Sequence, residues 1–386
     1  MSRSLRSAAL VAASILAITA LGPGATDAAG AATAPSGQSY VALGDSYAAG
    51  LGLSDPTGEP VPACAQTASD YPHRVARALG ARLTDVTCSG ATTRDLIDRR
   101  QNGAPPQVDA LSAATRLVTV SIGGNDADLL GAASGCIALS RTGPVLSGDA
   151  AQNCRSTLVS GGSDRLRDAV ATTAATGLRE AFAAIRSKAP NALVVVVGYP
   201  AIFPAPADTP SGGCFRPVVT PESVSGTFPT NGFPFTDVDV RYLAGLQETL
   251  DAVTRTASDR AGFTYVSNLA AGSAHSACAG SDAYVAGITL TATSRLTSIS
   301  LDPRSLHPTA AGAAFLADRT VAAVERATAP TSSAGPRVEM IVVRVPWLPI
   351  GLALLGAALV AATALLVARR RRRRGDSPDD APDATR

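Results

Sequence analysis

Five short apolar runs constrain this chain more than any other feature: Tyr40–Leu43, Leu83–Cys88, Leu117–Ile122, Ala192–Val197 and Phe263–Val266. They are too short for stable helices, and the most apolar, Ala192–Val197, reads as a strand buried on both faces. Between them lie segments with helical spacing. Tyr71–Leu79 carries Val75, Ala76 and Leu79 on one side, Thr93–Arg99 starts a short helix, and Asp164–Lys188 runs until Pro190 and Asn191 stop it. Arg241–Ala261 and Ala310–Arg326 complete the set. Strands alternating with helices predict a five-stranded, mainly parallel sheet with helices on both faces. No internal repeat is visible.

The two ends read differently from the middle. Arg3 and Arg6 precede an apolar run from Ala8 to Leu21, and small residues follow through Ala34. This is a secretory signal pattern over residues 1–34. Trp347–Ala368 carries no charge, and its 22 residues span ~33 Å as a helix, enough for a bilayer core. Arg369–Arg374 follow, and the positive-inside rule keeps that tail cytoplasmic. The expected organisation is a signal peptide over 1–34, a body over 35–326, a linker over 327–346, a single transmembrane helix over 347–368 and a basic tail over 369–386. The body then lies outside the cell membrane. Of the net charge of +2, residues 1–34 hold +1 and residues 369–386 hold +3, which leaves residues 35–368 at −2. Such a body offers no footprint for nucleic acid. It is expected to be a monomer.

Six cysteines, Cys64, Cys88, Cys136, Cys154, Cys214 and Cys278, fit an exported chain with disulfides. Six allow 15 connectivities. Sequential pairing, 64–88, 136–154 and 214–278, is the expectation. One long insertion, Tyr199–Phe235, lacks periodicity and holds five of the eight phenylalanines. It reads equally as the wall of an acyl-binding cleft or as a satellite hydrophobic cluster pinned by Cys214.

The three histidines, His73, His275 and His307, are not spaced as metal ligands, which argues against a catalytic zinc site. No cofactor or metal is expected. Phosphate-binding glycine loops are missing, as is the Gly-x-Ser-x-Gly elbow. A serine nucleophile needs a neighbouring base and donors for the oxyanion. Ser46, Gly90 and Asn125 each follow a predicted strand, and in a parallel sheet those strand ends share one edge. His307, ahead of the last helix, can reach the same edge. His73 reads as a surface helix residue and His275 as structural. Asp45 reads as a support for its loop, and Asp126 as a turn cap.

Gly44-Asp45-Ser46-Tyr47, Gly90, Gly123-Gly124-Asn125-Asp126 and His307-Pro308 together resemble the ordered blocks of the SGNH, or GDSL, hydrolase superfamily. The likeness covers about Ser39 to Arg326. With three disulfides, it is closest in pattern to secreted actinobacterial GDSL lipases and esterases. The resemblance implies a three-layer α/β/α, flavodoxin-like fold. It implies Ser46 as nucleophile, His307 as base, and Ser46, Gly90 and Asn125 as oxyanion donors. One position departs from the pattern. Where many members carry an aspartate three residues before the histidine, this chain has Arg304, and the nearest acid is Asp302. The orienting group is therefore the Arg304 or Ser305 carbonyl, or the Asp302 carboxylate, with the carbonyls favoured. The expected activity is hydrolysis of lipid or other acyl esters. A carbohydrate-ester deacetylase on the same scaffold and a non-catalytic envelope-binding module are the rivals.

Overall fold

The apolar runs pair edge to edge as parallel strands. In the computed structural model, which describes residues 37–146, 151–293, 298–329 and 347–372, they are β1 Ser39–Gly44, β2 Arg82–Asp85, β3 Leu117–Ser121, β4 Leu193–Val197 and β5 Thr264–Val266. Their order is β2-β1-β3-β4-β5, all parallel. This is the flavodoxin-like order, in which ligands bind beyond the carboxyl ends of the strands where the order reverses, here at β1 and β3. β2 is shorter than predicted, yet the Val86 and Cys88 N–H groups still donate to the Ala42 and Gly44 carbonyls at 3.1 and 3.0 Å.

Alternation along each strand sorts its side chains between two cores. Val41, Leu43, Val118, Val120, Val194 and Val196 face one side. There they meet Leu178, Phe182 and Ile185 of helix α4 (Ala175–Lys188) and Ala257 of helix α5 (Asp237–Ala261). Tyr40, Ala42, Leu117, Val195 and Val197 face the other, against Tyr71, Val75 and Leu79 of helix α2 (Tyr71–Leu79) and Leu316, Ala323 and Val324 of helix α6 (Ala310–Thr328). Each such buried side chain contributes about 1.5–3 kcal/mol. A four-residue helix, α1 (Ser46–Ala49), follows β1, and α3 (Thr93–Ile97) follows β2.

Two predictions change here. The helix predicted over Asp164–Lys188 is interrupted by a π-helical turn, Val170–Ala174, where Val170 and Ala174 pack on Ala127 and Leu250. The helix predicted from Arg241 begins at Asp237, because the Thr236 hydroxyl accepts from the Asp239 N–H and caps it. The disulfides are sequential: Cys64–Cys88, Cys136–Cys154 and Cys214–Cys278. The last two lie in a third core beside the sheet, with Phe203, Phe233 and Phe235 packed edge to face.

The chain divides into two compact units, Met1–Pro330 and Thr331–Arg386. The signal segment 1–34 lies outside the described residues, as does most of the linker. In the second unit, helix α7 runs over Trp347–Arg372. Its side chains are described over 355–370. Among the described residues no helix is long and apolar enough to cross a membrane, so the span expected over 347–368 is not shown and rests on the sequence alone.

Candidate active site

β1 ends at Gly44, with φ +148°. A Cβ there would sit 2.6 Å from the Ser121 carbonyl and 2.8 Å from Ala48 Cβ, so only glycine lets the chain turn this closely. The Gln107 amide grips the turn from both sides. Its Oε1 accepts from the Gly44 N–H at 2.7 Å, and its Nε2 donates to the Gly44 carbonyl at 2.9 Å. Asp45 then caps α1 by accepting from the Tyr47 N–H at 3.0 Å. Ser46 becomes the first residue of that helix, where a backbone N–H has no acceptor within the helix.

His307 arrives from the opposite end of the chain. Ser46 Oγ lies 2.9 Å from His307 Nε2. His307 Nδ1 lies 2.9 Å from the Ser305 carbonyl oxygen. A carbonyl only accepts, so Nδ1 carries the proton and the Nε2 lone pair faces the serine hydroxyl. The imidazole is buried, which holds its pKa below the usual histidine value, while the carbonyls of Ser305 and Pro303 pull the other way. At neutral pH it is therefore a neutral base in contact with a hydroxyl.

Asp302 does not face the histidine. Its Oδ1 accepts from the Arg304 backbone N–H and Nε at 2.9 and 3.0 Å, and its Oδ2 from Arg304 Nη2 at 2.7 Å. The Arg304 guanidinium holds its carboxyl below the ordinary value. Ser305 is fixed by its own hydroxyl, which accepts from the Thr289 N–H at 3.0 Å. Leu306 adopts φ +60°, a left-handed backbone that is strained for leucine. The Tyr47 hydroxyl meets its carbonyl at 2.5 Å and pins the turn.

Of the oxyanion candidates, Asn125 lines the same pocket as Ser46, and Gly90 follows β2 beyond the same sheet edge. Gly90 has φ +82°, and the space beside it is open: a Cβ would meet only Gln101 Nε2, at 3.6 Å. Backbone conformation, and not crowding by the protein, is what calls for glycine here. Its N–H has no acceptor among the described residues. The Cys88 N–H bonded to the Gly44 carbonyl and the Cys64–Cys88 disulfide fix this segment beside β1. Asn125 Nδ2 donates to the Ala91 carbonyl at 2.8 Å, which commits one of its two amide hydrogens and leaves the other. Asp126 accepts from the Thr93 N–H and hydroxyl, so it ties two loops together and does more than cap its own turn.

Three contributors were given no role by the sequence. The Tyr199 hydroxyl donates to Asp45 Oδ2 at 2.5 Å and accepts from the Gly124 N–H at 3.0 Å, linking the serine turn to the Asn125 loop. Burial raises the Asp45 carboxyl to about 7, against the opposing pull of the Tyr199 and Tyr47 hydrogen bonds. Gln107 and Tyr47 act as described above.

A pocket opens next to Ser46 and Asn125, walled by Leu129, Leu130, Ile202, Phe203, Leu243 and Leu246. Its wall thus comes largely from residues 129–133 and from α5. The 199–235 insertion contributes Tyr199, Pro200, Ile202 and Phe203, while Phe233 and Phe235 are fully buried in the satellite core. His275 is half-buried, stacked on Tyr284 and bonded to the Asp282 carbonyl. His73 is not a free surface residue, since it contacts Asp70 and Asp85.

Residues 42–315 match the GDSL-like Lipase/Acylhydrolase family. Lipase 2 of Streptomyces coelicolor is 37% identical over 274 residues, covering 69% of this chain and 82% of that protein. Phospholipase A1 from Streptomyces albidoflavus superposes with a TM-score of 0.53 at 26% identity, over 74% of this chain and 98% of that one. An extracellular lipase from Streptomyces rimosus gives the same TM-score at 24% identity, over 74% and 99%, a likeness of fold. The chain belongs to the GDSL-like lipase/acylhydrolase family, on the SGNH hydrolase fold, and is a carboxylic ester hydrolase.

Proposed function

We propose that this protein is an exported, membrane-anchored lipase or esterase that cleaves acyl esters of lipids through an acyl-enzyme on Ser46. The observation that carries the reading is the contact between Ser46 Oγ and His307 Nε2 at 2.9 Å, at the mouth of an apolar pocket. His307 takes the hydroxyl proton as Oγ attacks the ester carbonyl, then delivers it to the leaving alcohol. The Ser46 and Gly90 N–H groups and the remaining Asn125 amide hydrogen receive the oxyanion. Water activated by His307 then releases the acid. The Ser305 carbonyl holds the imidazole in the required tautomer, the part a carboxylate plays in many serine hydrolases.

The leucine, isoleucine and phenylalanine wall favours a fatty acyl group over an acetylated sugar, and the phospholipase A1 likeness points the same way. The signal pattern of residues 1–34 and the uncharged stretch before Arg369 support export and a single cytoplasm-facing anchor. A panel of p-nitrophenyl esters tests the reading. Medium or long acyl chains are expected to turn over, and Ser46→Ala to lose about four to six orders of magnitude in kcat. Turnover confined to acetate would instead favour the deacetylase.

A further inference from the structure

Away from the cleft, one cluster concentrates unpartnered polar atoms. Asp70 caps α2, and its Oδ1 accepts from the His73 N–H at 2.8 Å. His73 turns its ring back, so that Nδ1 lies 2.9 Å from the same oxygen and 3.5 Å from Asp85 Oδ2. Asp85 ends β2, and its Oδ1 accepts from the Thr87 N–H and hydroxyl at 3.0 and 2.7 Å. Each carboxylate thus has one satisfied oxygen. The others, Asp70 Oδ2 and Asp85 Oδ2, are buried without a hydrogen-bond partner. The two side chains are 0% and 4% exposed, and that of His73 is 25% exposed.

With both acids ionised, this group carries a net negative charge even when His73 is protonated. No arginine or lysine pairs with either carboxylate among the described residues. Arg74 and Arg77, on the same helix, donate to the Ser69 and Ala68 carbonyls instead. A single imidazole neutralises at most one of the two acids. Buried carboxylates are costly unless they are paired or bind a metal.

The spacing suits a cation. One oxygen from each acid and one ring nitrogen lie within 4.8 Å of one another. Bonds of about 2.0–2.2 Å to zinc give tetrahedral edges of about 3.3–3.6 Å. His73 Nδ1 lies 3.5 Å from Asp85 Oδ2, within that range, and 2.9 Å from Asp70 Oδ1, a hydrogen-bond distance that opens by a few tenths of an ångström when an ion enters. An imidazole among the donors favours a first-row metal over calcium or magnesium, which take oxygen.

We propose that Asp70, His73 and Asp85 form a binding site for a divalent first-row cation, with zinc the best match and water completing the shell on the exposed side of His73. None of the three lines the pocket beside Ser46, so the role is structural. A Cβ on Gly50, the residue after α1, would lie 2.7 Å from Asp70 Cβ, and Asp85 leads through Cys88 into Gly90. A bound ion ties the turn behind the nucleophile helix to the segment carrying an oxyanion donor.

Calorimetric titration of the chelator-stripped full chain with zinc chloride, alongside thermal melts, tests this without reference to ester turnover. One ion per chain and a rise of several degrees in Tm are expected. His73→Ala, which leaves the Asp70 cap in place, is expected to fold and to lose both signals, as is Asp85→Asn. Asp70→Asn keeps a capping oxygen and is expected to bind zinc at least tenfold more weakly. A wild-type chain that takes up no zinc, a His73→Ala chain that binds it as the wild type does, or an equal response to calcium would each overturn the assignment.

Discussion

The serine turn and the histidine turn meet at 2.9 Å but are built in opposite ways. Ser46 rides on the end of a central strand. Its turn is clamped by Gln107, by the Ser121 carbonyl through the Asp45 N–H, and by Tyr199. His307 rides on a loop that is held by carbonyls: Ser305 beneath its ring, and Leu306 under the Tyr47 hydroxyl. The serine is positioned by the sheet, and the histidine by a loop bonded to residues 284–289 and by the serine's neighbour Tyr47. Two turns built so differently still give one serine–histidine pair, because the imidazole needs only one acceptor at Nδ1 to fix its tautomer.

Substitutions on the two sides separate these contributions. The largest effect is expected at the sheet-borne edge, where Asn125→Ala removes an oxyanion donor. There kcat is expected to fall about 10²–10³-fold with KM little changed, and steady-state kinetics on a p-nitrophenyl ester reads it. On the histidine side, Tyr47→Phe frees the strained Leu306 turn, and kcat is expected to drop about tenfold, in line with the loss of one buried hydrogen bond. Asp302→Asn is expected to cost less than about threefold, because the acid pairs with the exposed Arg304 side chain and not with His307. Where a carboxylate does hold the histidine, its amide costs about 10⁴-fold, so a loss of that size here would reassign the role to Asp302.

The smallest effect is in the pH profile. His307 titrates below its usual 6.5, so lowering the pH from 7.5 to 6.5 protonates less than half of it. The acid-side loss in kcat/KM over that interval is expected to stay under about twofold. A steeper fall centred near 7 that disappears in Asp45→Asn would assign the limb to Asp45, whose carboxyl lies at about 7.

The same contrast marks what was legible in the sequence. Strand ends are local features: an apolar run followed by Gly-Asp-Ser or Gly-Gly-Asn-Asp announces itself, and the five strands followed, whereas the sequential disulfides were one choice among 15 connectivities. Long-range side-chain ties do not. Tyr199 to Asp45 and Tyr47 to Leu306 span 154 and 259 residues, and neither tyrosine differs locally from a packing residue. The pocket wall on α5 was hidden for a related reason, since helical periodicity shows that a face is apolar but not whether it covers a core or a cleft. The π-helical turn at Val170–Ala174 leaves the run of helix formers unbroken. His73 read as a surface residue because its second partner, Asp85, depends on how β2 and α2 pack together. The histidine's carbonyl support was partly visible, because Arg304 stands where an acid was expected.

Covalent labelling tests the serine–histidine pair most directly. The intact protein, treated with a fluorophosphonate and mapped by peptide mass spectrometry, is expected to carry one adduct, on Ser46 Oγ, formed with loss of fluoride. Labelling is expected to vanish in Ser46→Ala and to slow at least a thousandfold in folded His307→Ala, while Asp302→Asn labels at nearly the wild-type rate. An adduct on another residue, or undiminished labelling without His307, would contradict a nucleophile at Ser46 activated by His307.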